Sequence, residues 1–412
     1  MIKAINCCRI SGSKNLVSIL NLGIQKLTGV FPSSTDEPLT EGPLELVWCP
    51  DSGLVQMRHS YDLGEMYGVN YGYRSGLNAS MVEHLTQKVQ YLQRLISLAA
   101  DDVVLDIGSN DATTLKAYTV AGLKRIGVDP TGIKFREYYS DGVELIPDFF
   151  SAASFRKIYG DKKPKIITSI SMFYDLEDPG QFVRDVAEVL SKDGIWHFEQ
   201  SYMPSMLRTN SYDTICHEHI EYYSLRPVVQ LLATCGMKVV DVQMNSVNGG
   251  SFAVSAAHAD APMRVNHSII NWLLEQEDRM GLNTPRPFRQ FEERVFEHRI
   301  SLLNLIQTLN ADGKTICGYG ASTKGNVLLQ FCGLGPDEIP CIAEVNPDKF
   351  GKFTPGTHIP IISEAEARAR QPDYFLVMPW HFKSNILQRE RAYLQNGGKI
   401  IFPLPEIEIV GG

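Results

Sequence analysis

Val104-Leu105-Asp106-Ile107-Gly108-Ser109-Asn110-Asp111-Ala112-Thr113 reads as an apolar strand, a tight glycine turn and the start of a helix. Glycine at such a turn lets the backbone approach a ligand closely, because no Cβ stands in the way. Asp129 ends the next apolar run, Ile126-Gly127-Val128, where a carboxylate can accept both hydrogen bonds of a ribose diol. Strand, turn and acid together predict a nucleotide-type site with Asp106, Gly108, Ser109, Asn110, Asp129 and Pro130 as its candidate residues.

Around this stretch, strand-like and helix-like segments alternate from Val103 to about Ala257, as in an α/β doubly wound sheet. Ile166-Ile167-Thr168-Ser169-Ile170 and Gly194-Ile195-Trp196-His197-Phe198 are further strands. Lys238-Val239-Val240-Asp241-Val242 and Ser251-Phe252-Ala253-Val254-Ser255, with no helix between them, predict an antiparallel hairpin that ends the sheet. Upstream, Val82, Leu85, Val89, Leu92, Leu95, Ile96 and Ala99 recur at helical spacing. Downstream, residues from about Val265 to Asn310 read as one or two connecting helices. A second alternating unit follows Gly313, with strands at Thr315-Ile316-Cys317-Gly318, Cys341-Ile342-Ala343-Glu344, Tyr374-Phe375-Leu376-Val377-Met378 and Lys399-Ile400-Ile401-Phe402. The first 75 or so residues, rich in Gly, Pro and Ser, read as a small strand-and-turn module. The expected units are 1–78, 79–260, 261–311 and 312–412, with chemistry in the second.

Composition narrows the partners. With 39 basic against 47 acidic residues and a net charge of -8 in 412 residues, the chain lacks the electrostatic footprint of a nucleic-acid binder. No stretch has the roughly 18 consecutive apolar residues of a membrane helix, and Met1-Ile2-Lys3-Ala4-Ile5-Asn6 does not lead into a signal-peptide apolar region. A soluble, cytoplasmic and monomeric protein acting on small ligands is expected, with its 8 cysteines reduced rather than paired in disulfides.

The segment most informative for chemistry follows the Trp196-His197-Phe198 strand: Tyr212-Asp213-Thr214-Ile215-Cys216-His217-Glu218-His219-Ile220-Glu221-Tyr222-Tyr223. Carboxyl ends of strands face the ligand crevice in such sheets, so this insert is placed to meet a bound ligand. It combines an imidazole base, a carboxylate able to orient it, and hydroxyl donors, a set suited to removing a proton from carbon or oxygen. Two histidines this close can also ligate a metal or satisfy backbone groups.

The strand-turn-acid pair resembles the cofactor site of S-adenosylmethionine-dependent methyltransferases, and the terminal hairpin matches their seven-stranded, class I (Rossmann-like) core. Across nearly the whole chain the sequence resembles the sugar C-methyltransferases that act on nucleotide-linked 4-ketosugars, typified by the dTDP-sugar C-3-methyltransferases. The resemblance is carried by Leu54-Val55-Gln56-Met57-Arg58-His59, Tyr71-Gly72-Tyr73-Arg74-Ser75-Gly76, Asp106-Ile107-Gly108-Ser109-Asn110-Asp111, His217-Glu218-His219, Asn248-Gly249-Gly250-Ser251 and Gly318-Tyr319-Gly320-Ala321-Ser322-Thr323-Lys324-Gly325-Asn326. It implies an N-terminal zinc-binding module, a central methyltransferase domain using S-adenosylmethionine, and a C-terminal Rossmann-like α/β domain that helps to hold a nucleotide-linked sugar. It further implies His219 as the base that takes the C3 proton, with Glu218 and Tyr73 lining the active site. Tyr71, His217, Tyr222 and Asn248 are the expected substrate contacts, and Lys324 with Asn326 suits a phosphate. An O- or N-methyltransferase, a noncatalytic binding scaffold and a NAD-dependent oxidoreductase using His358 or His381 are the alternatives.

Three positions depart from the family pattern. The zinc knuckles read Cys8-Arg9-Ile10-Ser11 and Cys49-Pro50-Asp51-Ser52, each without its second thiolate. Serine is a poor zinc ligand, so the module is expected to fold without metal unless Cys7 and His59 substitute. Cys216 stands where the sugar enzymes carry tyrosine, and Met172-Phe173-Tyr174-Asp175 stands where they place a histidine. A thiol cannot replace a phenol as a strong donor, so either Tyr174 takes that part or the acceptor differs from a C3-deprotonated 4-ketosugar. Near the C-terminus, Thr323 occupies the third glycine position of a dinucleotide fingerprint, which favours a sugar-nucleotide site or a lid over a redox site.

Overall fold

The computed structural model describes residues 2–66 and 74–411. Tyr71 and Tyr73 lie outside the described residues. Strands β1 (Lys3–Ala4) and β5 (His59–Ser60) form a two-stranded ribbon, and β2 (Val17–Lys26), β3 (Glu41–Trp48) and β4 (Val55–Met57) form an antiparallel N-terminal sheet.

The central sheet is built from β6 (Val103–Ile107), β7 (Lys124–Val128), β8 (Val143–Ile146), β9 (Ile166–Ile170) and β10 (Ile195–Ser201). After β10 the chain makes a short strand β11 (Glu221–Tyr222) and then the hairpin of β12 (Met237–Asn245) and β13 (Ser251–His258). Its order is β12-β13-β10-β9-β6-β7-β8, with β13 antiparallel to its neighbours. This is the seven-stranded class I methyltransferase fold. Every residue of β6 is buried, as expected where helices cover both faces of a parallel sheet. The chain runs outward from β6 through β7 to β8 and then returns to β9 on the other side of β6, so a ligand crevice opens at the carboxyl ends of these strands.

The helix Ala79–Leu95 begins at Asn78, whose side chain accepts from Ser80 N, and buries Leu85, Val89 and Leu92. His84 and Lys88 on its buried side reach Glu199 of β10 at 2.6 and 2.8 Å. Burial alone would raise the Glu199 carboxyl, but these two partners hold it down to about 2.

β11 pairs with β4, not with the central sheet: Glu221 lies opposite Gln56 and Tyr222 opposite Val55. The His217-Glu218-His219 insert therefore bridges two sheets. The helices His267–Met280 and Arg286–Ala311 lead to the C-terminal sheet, where β14 (Ile316–Tyr319), β15 (Ile342–Glu344), β16 (Ile361–Ser363), β17 (Tyr374–Val377), β18 (Lys399–Phe402) and β19 (Glu408–Val410) run in the order β16-β15-β14-β17-β18-β19. One apolar core joins Leu20 and Leu46 of the N-terminal sheet, Tyr212 and Cys216 of the insert, Phe288 and Phe291 of the long helix, and the C-terminal sheet. Among the described residues no helix is long and apolar enough to cross a membrane.

Candidate active site

Gly108 takes φ +76°, and a Cβ there would stand 3.0 Å from Met172 Cγ, so the turn closes against the segment after β9 only because it is glycine. Asn110 follows at φ 50°, and its N–H donates to Asp129 Oδ2 at 2.7 Å. Thr131 donates to Asp129 Oδ1 from both its N–H and its hydroxyl, at 2.7 and 2.6 Å. The carboxylate at the end of β7 thus accepts three protein hydrogen bonds, out of about four acceptor directions. Engaging a diol through both hydroxyls requires the Thr131 hydroxyl to turn away.

A cleft of about 410 Å³ runs from this loop to the insert. Gly108, Asn110, Asp129, Pro130 and Thr131 line one end, with Asp148, Phe149 and Phe150 from the turn after β8. A glycine cradle, a strand-end carboxylate and an apolar wall fit an adenosyl group. The other end is lined by Tyr174, Glu218, His219, Asn248, Thr323 and Lys324. His219 Nδ1 lies 3.2 Å from the Thr214 carbonyl, which can only accept, so in the neutral ring Nδ1 carries the proton and Nε2 is the base. Burial, and next the charge of Lys324, push the imidazole down to about 4. The Tyr174 ring stands edge-on to it, centroids 4.4 Å apart, and the Tyr174 carbonyl accepts from Ile220 N, tying the insert to the turn after β9.

Three parts of the chain meet at this end. Glu218 Oε1 lies directly over Gly29, where any Cβ would collide with it, and Thr323 Oγ1 stands 3.6 Å from the same point. Burial raises the Glu218 carboxyl above its ordinary range. Lys324 donates to the Asn248 carbonyl at 3.3 Å.

Several expected contacts are placed elsewhere. Asp106 lies inside β6, accepting from the Thr168 hydroxyl, and burial pushes it up to about 7; it lines no part of the cleft. The Ser109 hydroxyl points beneath the loop to Tyr139, 2.7 Å away. His217 is buried edge-on against Tyr61, with Nδ1 3.5 Å from Thr28 Oγ1, and faces away from the cleft. Tyr222 lines a separate small cavity behind His219 and donates to the Thr214 carbonyl at 3.3 Å. Asn326 is buried and donates to the Thr28 carbonyl at 2.7 Å, so it joins the turn after β2 to the helix Thr323–Cys332, and it lines no part of the cleft. Cys216 is a core residue and also lines no part of the cleft. Asp148, Phe149, Thr131 and Glu177, all lining residues, were not singled out in the sequence because the short β8 that positions the first two lacks a clear apolar run.

The N-terminal knuckles converge as two hydrogen-bonded pairs, Cys8 Sγ to Ser52 Oγ at 3.2 Å and Ser11 Oγ to Cys49 Sγ at 3.7 Å. Two thiols and two hydroxyls do not fit a structural zinc ion. Cys7 and His59 do not make up the set, since among the described residues no three His, Cys, Asp or Glu side chains come together as ligands.

Comparison with known proteins gives the family. Residues 8–67 match a family described as a putative zinc binding domain, residues 81–242 a methyltransferase domain, and residues 246–405 a C-methyltransferase C-terminal domain. The chain is 32% identical over 413 aligned positions to the C-methyltransferase NovU of Streptomyces niveus, covering 100% of this chain and 98% of that one. The chain belongs to the S-adenosylmethionine-dependent C-methyltransferase family. Its cofactor is S-adenosylmethionine, and it is an enzyme of that family. Solved structures match more loosely: magnesium protoporphyrin IX methyltransferase of Synechocystis PCC 6803 with bound S-adenosylhomocysteine is 13% identical, covering 44% of this chain and 88% of that one at TM-score 0.33. A methyltransferase in complex with the Trm112 activator of Haloferax volcanii is 13% identical, covering 44% and 94% at TM-score 0.36. The pairs Cys8–Ser52 and Ser11–Cys49 lie within the residues that match the putative zinc binding domain.

Proposed function

We propose that this chain methylates carbon, at C3 of a nucleotide-linked deoxy-4-ketosugar, after His219 removes the proton from that carbon. The observation that carries the reading is His219 itself: an imidazole whose Nδ1 is tied to a backbone carbonyl, leaving Nε2 as base, in the same cleft as the glycine loop and Asp129. When bound, S-adenosylmethionine supplies an electrophilic methyl on a sulfonium. The protein need only hold and deprotonate the acceptor beside it.

In this reading Gly108, Asn110, Asp129 and Pro130 hold the cofactor. Glu218, packed on Gly29 and raised by burial, keeps the insert in place beside the acceptor. Tyr174 fixes the imidazole plane through its edge contact, and Asn248 closes the acceptor end. We also propose that the units divide at 1–78, 79–260, 261–311 and 312–412, although Glu221 and Tyr222 complete the first unit's sheet.

Supplying the enzyme with methyl-labelled cofactor and dTDP- or GDP-linked 4-ketosugars tests the reading by NMR of the product. Label on C3 is expected. Label on a sugar oxygen, or no transfer to any of these acceptors, would overturn it.

A further inference from the structure

Lys324 sits on the first turn of the helix Thr323–Cys332, a part of the chain far from the methyltransferase sheet in sequence, yet its side chain lines the same cleft as His219, Glu218 and Tyr174. Among the described residues it makes no ion pair, and its ammonium donates to the Asn248 carbonyl at 3.3 Å, leaving donors to spare. Burial pushes the Lys324 pKa below the ordinary lysine value, and the charge of Asp213, whose Oδ2 accepts from Trp380 Nε1 at 2.8 Å, opposes that shift.

Apart from His219, Lys324 is the one basic side chain among the described residues that line the cleft. Asp129, Asp148, Asp175, Glu177 and Glu218 are also there. The acceptor's diphosphate must lie outside this lining, since it needs several donors and would be repelled here. One negative charge, developing on one oxygen beside the ammonium, would not. Cys216, the residue before the His-Glu-His triplet, is sealed in the core and offers no donor to the cleft. Removing a proton from carbon also places charge on the neighbouring carbonyl oxygen, which calls for a donor beside it.

We propose that Lys324 donates a hydrogen bond to the carbonyl oxygen of the acceptor and holds the negative charge that forms there as His219 takes the adjacent proton. The C–H proton passes to His219 Nε2, its electron pair becomes the carbon–carbon π bond, and the carbonyl π pair moves to the oxygen facing Lys324. The carbon then attacks the methyl group, the carbonyl re-forms, the S–C pair leaves with sulfur, and the imidazolium returns its proton to solvent. The assignment rests on the carbon-acceptor reading above and replaces the phosphate role expected for this lysine.

The test uses full-length Lys324→Met, with Lys324→Gln in its place if that variant fails to fold. With a dTDP-linked 4-ketosugar, kcat should fall about 10²- to 10³-fold while KM and S-adenosylhomocysteine affinity stay within about threefold. Deuterium exchange from solvent at the carbon next to the carbonyl, measured without cofactor, should fall by the same factor. The His219 ring, whose neighbours are Tyr174, Glu218, Glu221, Tyr222 and Lys324, should titrate at higher pH once the lysine charge is gone. A tenfold rise in KM with kcat intact would show a phosphate contact and overturn the proposal, as would an unchanged His219 titration. Exchange by wild type that persists in the variant would overturn the lysine assignment alone. Absence of exchange by wild type would overturn the carbon-acceptor reading and the assignment with it.

Discussion

The chain contains two glycine loops built alike and used differently. In the central sheet, Gly108 turns at φ +76° after β6 and Asn110 N donates to Asp129, at the end of β7, at 2.7 Å. In the C-terminal sheet, Gly320 turns at φ +85° after β14 and Ala321 N donates to Glu344, at the end of β15, at 2.8 Å. What stands across from each loop differs. Opposite Gly108 is the flexible side chain of Met172 and then the open cleft, whereas a Cβ on Gly320 would stand 2.6 Å from Pro379 Cδ and one on Gly325 2.6 Å from Met378 Cβ. Asp129 and Glu344 each accept three hydrogen bonds, but those on Glu344 all come from fixed backbone N–H groups, of Ala321, Val345 and Asn346, whereas one on Asp129 comes from the rotatable Thr131 hydroxyl. The strand, turn and acid pattern builds the loop, and the residues after the neighbouring strand decide whether a crevice remains. The second loop is a packed joint that carries Lys324 into the first loop's cleft.

That contrast can be broken by mutation. The largest effect is expected between the loops, where His219→Ala should lower turnover by about 10²- to 10⁴-fold with S-adenosylhomocysteine affinity unchanged by calorimetry. Near-wild-type turnover would remove His219 from the base position. Asp129→Ala should weaken S-adenosylhomocysteine binding by about 10²-fold, the loss of one or two hydrogen bonds to a charged group. Glu344→Ala should leave that affinity within about twofold and instead lower stability by about 1–3 kcal/mol, because buried N–H groups lose their acceptor. If both substitutions abolished cofactor binding, the two loops would not differ as described.

A smaller effect concerns pH. The base works unprotonated, and burial together with the Lys324 charge lowers it, so the acid limb of kcat/KM attributable to His219 should lie near 4 and not at the ordinary 6.5. A limb at 6.5 in the wild type would mean an imbalance between burial and charge other than the one seen here. The smallest change in activity is expected at the knuckles. Ser11→Cys/Ser52→Cys should take up stoichiometric zinc by elemental analysis and melt at higher temperature, while the parent carries none. Stoichiometric zinc in the parent would contradict the Cys–Ser pairing.

Residues 104–113, with Asp129 and the terminal hairpin, made the central sheet legible, because parallel strands buried on both faces are short apolar runs and the glycine turn is punctuated. β8 is hard to read because it is only four residues long, with Glu144 exposed and Leu145 half-buried between the buried Val143 and Ile146, and Asp148 and Phe149 are hidden with it. β16 and β19 escaped notice because they are three-residue strands with few buried positions. His219 and Glu218 are legible as candidates because their chemistry is concentrated in one insert, and Tyr174 because it follows a clear apolar strand, β9. His217, Tyr222 and Asn326 were misplaced because adjacency in sequence does not fix which way a side chain turns in a loop that bridges two sheets. Asn326 stabilises the joint with Thr28, a contact between residues at opposite ends of the chain that no local pattern encodes.

The claim that one cleft joins a methyl-donor loop to a carbon-deprotonating histidine is tested most directly by solvent-deuterium exchange into a dTDP-linked 4-ketosugar, followed by NMR with no cofactor present. Wild-type enzyme should exchange the proton at C3, and His219→Ala should not. Equal exchange by both proteins, or no exchange by a wild type that methylates a sugar oxygen, would contradict the account.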